Sequence, residues 1–231
     1  MLPKDKSKKC ALVMHTQPVD DNGTDLPAVV KELCPDYDVI FSNEKLDNDQ
    51  MCWMYNIADV TINIASNEGF GLGSCEMLHT GGVIVVNVTG GLQDQCGFKK
   101  DGVHSQDGKY IEGDYLTAED YVELQSNHRG TYTNHGEWVK PVFPSNISCQ
   151  GSPLTPYIFD DRASFEDAGE ALLGWYNVGP EERERCGEVG RQFVLGDGRM
   201  TGKAMSESFI KNIDTTLEKW KPREKYTLEV C

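Results

Sequence analysis

Ser66-Asn67-Glu68-Gly69-Phe70-Gly71-Leu72-Gly73-Ser74-Cys75-Glu76-Met77-Leu78-His79-Thr80-Gly81-Gly82-Val83-Ile84-Val85-Val86-Asn87-Val88-Thr89-Gly90-Gly91 is the stretch whose reading decides the fold. Before it, Val60-Thr61-Ile62-Asn63-Ile64-Ala65 reads as a strand. Within it, about Leu72 to His79 reads as a short helix that Thr80-Gly81-Gly82 stops, and the β-branched run Val83 to Val86 reads as the next strand. Strand, glycine loop, helix and strand make one βαβ unit. In such a unit the loop after the first strand turns free backbone N–H groups toward a bound anion, at a helix N-terminus carrying roughly half a positive charge. The expected structure is a phosphate cradle.

Two carboxylates frame that cradle. Glu68 lies in the loop and Glu76 about one turn inside the helix, so both are expected to face one crevice. A simpler account makes Glu68 an electrostatic partner of the helix dipole, worth up to about 1 kcal/mol, and puts Glu76 on a solvated face. That account suffices for Glu68 alone. It leaves unexplained why two glutamates, three loop glycines and a following Gly90-Gly91 occur together between two apolar strands.

The Glu68-x7-Glu76 arrangement resembles the donor-site signature of the retaining GT-B glycosyltransferases of the GT4 type. Ala58-Asp59-Val60, the Gly81-Gly82 break, the Val83–Val86 strand and the Gly90-Gly91 loop fall where that family places its counterparts. The resemblance implies a Rossmann-like domain that binds a nucleotide sugar. It gives Glu76 the ribose hydroxyls, the amides around Gly69, Phe70, Gly71 and Leu72 the diphosphate, and Glu68 the transferred sugar and hence the catalytic role. Leu46, after the Phe41 strand, is the candidate base contact. No cofactor or metal is implied, because amides and the helix dipole would neutralise the diphosphate.

With 231 residues, 39% of them hydrophobic, and a formal charge of −15, the chain can bury one substantial core or two small ones. Its acidity disfavours nucleic acid and anionic membrane, both of which need a positive surface. No run approaches the roughly 18 apolar residues of a membrane span. Eight scattered cysteines without a C-x-x-C pair point to a reducing compartment, and the expected location is cytoplasmic. The sequons at Asn22, Asn87 and Asn146 read as chance, and the five histidines show no metal-ligand spacing.

Residues 1–9 read as a flexible basic tail, and 10–231 as a single domain. Ala11–His15 and Asp38–Phe41 are strand candidates. Thr24 or Asp25 caps a helix starting near Pro27 and ended by Pro35, and Asp47 or Asn48 caps a second one reaching Ala58. Strands alternating with helices over short connections predict an α/β fold with a doubly wound parallel sheet. About 97–156 breaks the pattern and reads as an irregular surface insertion whose aromatics pack on the domain. A sharper reading lets it line an acceptor or partner surface, with His128, Arg129 and His135 as the groups to test. Tyr157-Ile158-Phe159 is expected to resume the sheet. Helices follow from Ser164, from Pro180 and over about Thr201–Trp220, where Met205, Phe209, Ile213 and Leu217 share one face.

The resemblance covers roughly residues 10–96 and 157–220. Family members carry two such domains with the active site between them, and nothing before Ala11 supplies the strand and loop that give an Arg and a Lys to the donor phosphates. The leading expectation is therefore a glycosyltransferase donor domain that binds a nucleotide sugar, transfers to a glycan or other hydroxyl acceptor, and is completed by an N-terminal domain on a longer or separate chain. The alternative is a non-catalytic nucleotide-sugar-binding or assembly module. A dinucleotide oxidoreductase is disfavoured, because no G-x-G-x-x-G follows the first strand.

Overall fold

The structure, a computed structural model, describes residues 10–21, 23–107, 109–151 and 153–222. The basic stretch 1–9, the sequon asparagine at 22 and the cysteine at 231 lie outside the described residues.

Local sequence explains the early elements. Strand β1, Ala11–His15, pairs in parallel with β2, Asp38–Ser42. Between them helix α1, Leu26–Leu33, starts at Asp25, whose carboxylate accepts from the Ala28 amide at 3.0 Å, and takes a proline in its first turn. Helix α2, Asn48–Ile57, begins with a capping box in which Asp47 and Gln50 satisfy each other's amides. Strand β3, Val60–Asn63, the glycine loop, helix α3, Leu72–His79, and strand β4, Val83–Asn87, complete the unit read from the sequence, with β3 and β4 parallel and Val60 opposite Val83.

Beyond β4 come the single-turn helix α4, Leu92–Gln95, the antiparallel pair β5, Val103–His104, and β6, Tyr110–Ile111, and helix α5, Ala118–Leu124. Strand β7, Val139–Val142, then pairs in parallel with β4 on the side away from β3. An antiparallel hairpin of β8, Pro144–Gln150, and β9, Ile158–Ala163, leads to helices α6, Phe165–Val178, α7, Pro180–Leu195, and α8, Gly202–Lys219.

The molecule is thus α/β with parallel strands. Among the described residues those strands form two ladders, β1–β2 and β3–β4–β7, and not the one doubly wound sheet expected. Nor does Tyr157-Ile158-Phe159 resume the parallel sheet, since β9 pairs antiparallel with β8. The stretch 97–156 is less peripheral than it reads: Phe98, Trp138, Val139 and Val142 are buried, and β7 is a strand of the central ladder. Of the other aromatics, Tyr115, Tyr132 and Phe143 pack against the core, whereas Tyr110 is 53% exposed.

Both faces of β4 are covered, as an all-parallel ladder requires. Ile84 and Val86 point to one side, into a cluster with Met77, Leu78, Leu92, Phe98, Trp138 and Phe193. Val83 and Val85 point to the other, into a cluster with Val142, Ala168, Trp175 and Cys186. Helix α7 crosses close to the end of α3. A Cβ on Gly187 would stand 1.9 Å from the Gly81 carbonyl oxygen, so the bare glycine is what allows the approach. At the amino end of β3 the Arg183 guanidinium pairs with Asp59 at 2.6 Å and donates to the Trp175 carbonyl at 3.0 Å. None of the described helices is long and apolar enough to cross a membrane.

Candidate functional site

The site is built at the carboxyl ends of β3 and β4. Gly71 caps α3 with a left-handed backbone, φ +85°, and a Cβ there would meet Leu92 Cδ2 at 2.4 Å. Glycine is required on both counts. No backbone hydrogen bond uses the amides of Phe70, Gly71, Leu72 or Gly73 among the described residues. The Gly71 carbonyl, by contrast, accepts from the Cys75 amide at 3.1 Å, from Ser74 Oγ at 3.0 Å and from Gln95 Nε2 at 3.0 Å. Gln95 Nε2 also donates to the Phe70 carbonyl at 2.6 Å.

Gly90-Gly91 has a packing reason of its own. The Gly91 amide donates to the Glu68 carbonyl at 3.1 Å, and Cβ atoms on Gly90 and Gly91 would lie 2.0 Å from the Glu68 oxygen and 2.4 Å from the Gly69 oxygen. The loop after β4 therefore lies backbone to backbone on the loop after β3. A Cβ on Gly69 would face open space, so that glycine leaves room above the loop.

The two glutamates find different partners. Glu76, exposed on α3, accepts from the Tyr55 hydroxyl of α2 at 2.8 Å. Burial first, then this bond and the carboxylate charge, push the Tyr55 hydroxyl well above the ordinary tyrosine value. Burial and Glu76 likewise push the Cys75 thiol up to about 11, which keeps it in the protonated, unreactive form. Glu68, half-buried, accepts from Asn63 Nδ2 at 3.4 Å at the end of β3. Phe70 and Leu72 are exposed beside the free amides. Leu46 is half-buried just before the Asp47 cap of α2, in the β2–α2 connection rather than in the glycine loop.

Residues that the motif does not announce brace this loop. Asn87, fully buried at the end of β4, donates to the Ala65 and Asp161 carbonyls at 2.9 and 2.8 Å. That burial also closes its sequon in the folded protein. The Asp161 amide donates to the Ser66 carbonyl at 3.0 Å. Its carboxylate accepts from Thr89 Oγ1 at 2.8 Å and faces His128 Nδ1 at 3.5 Å. Asp160 accepts from Asn67. The β8–β9 hairpin is thus a strut under the Ser66–Glu68 segment. His128 is carried to it by Asn127, a buried amide that accepts from the Tyr132 amide at 2.9 Å and donates to the Tyr132 carbonyl at 2.8 Å. Sequence spacing could not reveal this, because Asp161 and Ser66 are remote in the chain.

His135 does not join the group. Its Nδ1–H donates to the Gly136 carbonyl at 2.8 Å, and burial chiefly, with Lys140 nearby, pushes its pKa down against the pull of that bond. A separate open groove of about 880 Å³ lies between the 99–115 segment and the α7–α8 junction, lined by Lys99, Tyr115, Asp197, Arg199, Lys203 and Glu207 among others. It contains part of the stretch expected to line an acceptor surface, but not His128, Arg129 or His135. Among the described residues no three His, Cys, Asp or Glu side chains come together to hold a metal ion.

Compared with protein-family models and with curated proteins, the chain matches none.

Proposed function

We propose that the chain is the donor-binding domain of a retaining glycosyltransferase resembling the GT4 type, and that it takes a nucleoside-diphosphate sugar at the loop between β3 and α3. The observation that carries the reading is the pairing of unused amides at Phe70–Gly73 with an exposed carboxylate, Glu76, set one turn further along the same helix by the Tyr55 hydroxyl. Free amides at a helix N-terminus suit a diphosphate. A carboxylate held by one hydroxyl suits the vicinal hydroxyls of a ribose as further donors. Glu68 is assigned to the transferred sugar and is the catalytic residue of the proposal, with Gly69, Phe70, Gly71 and Leu72 as donor contacts and Leu46 as the base contact. The acceptor is a glycan or other hydroxyl compound, no nucleic acid takes part, and the place of action is the cytoplasm, in keeping with seven described cysteines that are all unbridged.

The alternative, a non-catalytic nucleotide-sugar-binding or assembly module, is favoured by one observation. Apolar residues stay exposed on β1–β2, at Leu12, Val13 and Ile40, and along α8, at Met205, Phe209 and Leu217. Such faces suit a second domain or chain. Calorimetric titration of the full chain with UDP, GDP and NAD tests the shared core of both readings: one of the diphosphates binds and NAD does not. Binding of NAD alone, or of none of the three at millimolar concentration, would overturn it. Sugar transfer by the full chain at an ordinary rate of about 1 per second or faster would exclude the non-catalytic module, while a much slower rate is expected of both readings.

A further inference from the structure

We propose that Gln95 is the positioning residue of the diphosphate loop: its side-chain amide holds the Phe70 and Gly71 carbonyls on the inner side, which turns the Gly71 and Leu72 N–H groups outward to the anion. The inference rests on the donor-site reading and names the residue that sets that site's geometry.

A trans peptide carries its C=O and N–H on opposite sides. Fixing the Phe70 carbonyl therefore fixes the Gly71 N–H, and fixing the Gly71 carbonyl fixes the Leu72 N–H. Gln95 Nε2 reaches both oxygens, at 2.6 and 3.0 Å. Consecutive carbonyls face the same way only where the residue between them is helical in either hand, and Gly71 is left-handed, φ +85° and ψ +62°. Leu92, on the same short helix as Gln95, occupies the space a Gly71 side chain would need. Gln95 is itself anchored, since its own carbonyl accepts from Trp138 Nε1 at 2.9 Å in the core.

The orientation of the amide is settled by chemistry, because only the NH₂ end can face two carbonyl oxygens. Its Oε1 is fully buried and has no partner. A side chain kept for packing alone would be leucine or methionine and would leave no orphaned oxygen. What glutamine supplies at this position is the pair of N–H donors.

The test uses the 231-residue chain with Gln95→Met, similar in size but without a donor, and Gln95→Glu, whose carboxylate would face the two carbonyls. Inorganic pyrophosphate is the probe, by calorimetry and by the ¹⁵N amide spectrum. In the parent chain, pyrophosphate shifts the Gly71 and Leu72 amide signals. Each variant that folds should bind pyrophosphate at least tenfold more weakly and lose those shifts, with the remainder of the spectrum preserved. Parent-like affinity in a folded variant overturns the inference, as does a parent chain that binds pyrophosphate without moving those two signals, an outcome readable even if neither variant folds. A parent chain that binds neither pyrophosphate, UDP nor GDP instead brings down the donor-site reading, and this inference with it.

Discussion

Tyr55 engages one oxygen of the Glu76 carboxylate, so a ribose would add its hydroxyls to an acceptor already oriented by the protein. Charge-assisted bonds of this kind are worth about 1.5–3 kcal/mol each before competition with water. Glu76→Gln keeps the shape and loses the charge, and nucleoside-diphosphate affinity should fall roughly tenfold, about 1.4 kcal/mol. Glu68→Gln should leave the bare nucleoside diphosphate bound as before and weaken only the sugar nucleotide. Titration of both variants with both ligands checks the two roles, and parent-like binding by Glu76→Gln removes the ribose role. Burial holds the His135 pKa below its ordinary value of about 6.5, so folding favours the neutral ring. The stabilisation is complete above that ordinary value and is lost as pH falls through the depressed one. Thermal unfolding between pH 7.5 and 5 should show the loss, and His135→Gln should flatten it.

At the level of elements, what local sequence governs was legible and what distant contacts govern was not. Asp25, Asp47, Ser164 and Thr201 each cap the helix expected to start beside them, because capping is decided within three residues. The ends of α3 are likewise written in its own loop, in Gly71 before it and Thr80-Gly81-Gly82 after it. Strand β7 is not legible in the pattern, because Val139-Lys140-Pro141-Val142 is short and holds a proline, which reads as an interruption. As the outer strand of its ladder it tolerates a residue without an N–H. Nor could pattern show that Trp138 would be fully buried, with Gly97, Gly136 and Gly190 each lacking a Cβ where the indole lies. Of the candidate site, the loop and both glutamates were legible, while Tyr55, Gln95 and Asp161 reach it only through the fold. Where α7 crosses α3, Gly187→Ala would drive a methyl into the Gly81 carbonyl, and overpacking of this sort costs about 1–3 kcal/mol. Urea unfolding of the variant measures it, and an unchanged midpoint would mean that the two helices stand further apart.

For the whole molecule, the apolar residues that share one face of α8 are left uncovered, with Phe209 66% and Leu217 70% exposed. At that exposure, Phe209→Ala should change stability by no more than about 0.5 kcal/mol. A loss of about 3–5 kcal/mol, the ordinary consequence of emptying a core phenylalanine, would show that something covers the helix. The parallel strands share this division: β4 is buried along its whole length, and β1 has no buried residue. The protein is therefore a firm centre carrying a more lightly packed β1–α1–β2–α2 flank. The Tyr55 hydroxyl, bonded to Glu76, crosses from that flank to the centre. Because the carboxylate joins the two, any ligand that draws on it becomes thermodynamically linked to the closing of the flank, by an amount that grows with ligand concentration over its dissociation constant. Amide hydrogens of α2, far in sequence from the glycine loop, should then exchange more slowly when the loop is occupied, and Tyr55→Phe should uncouple the two.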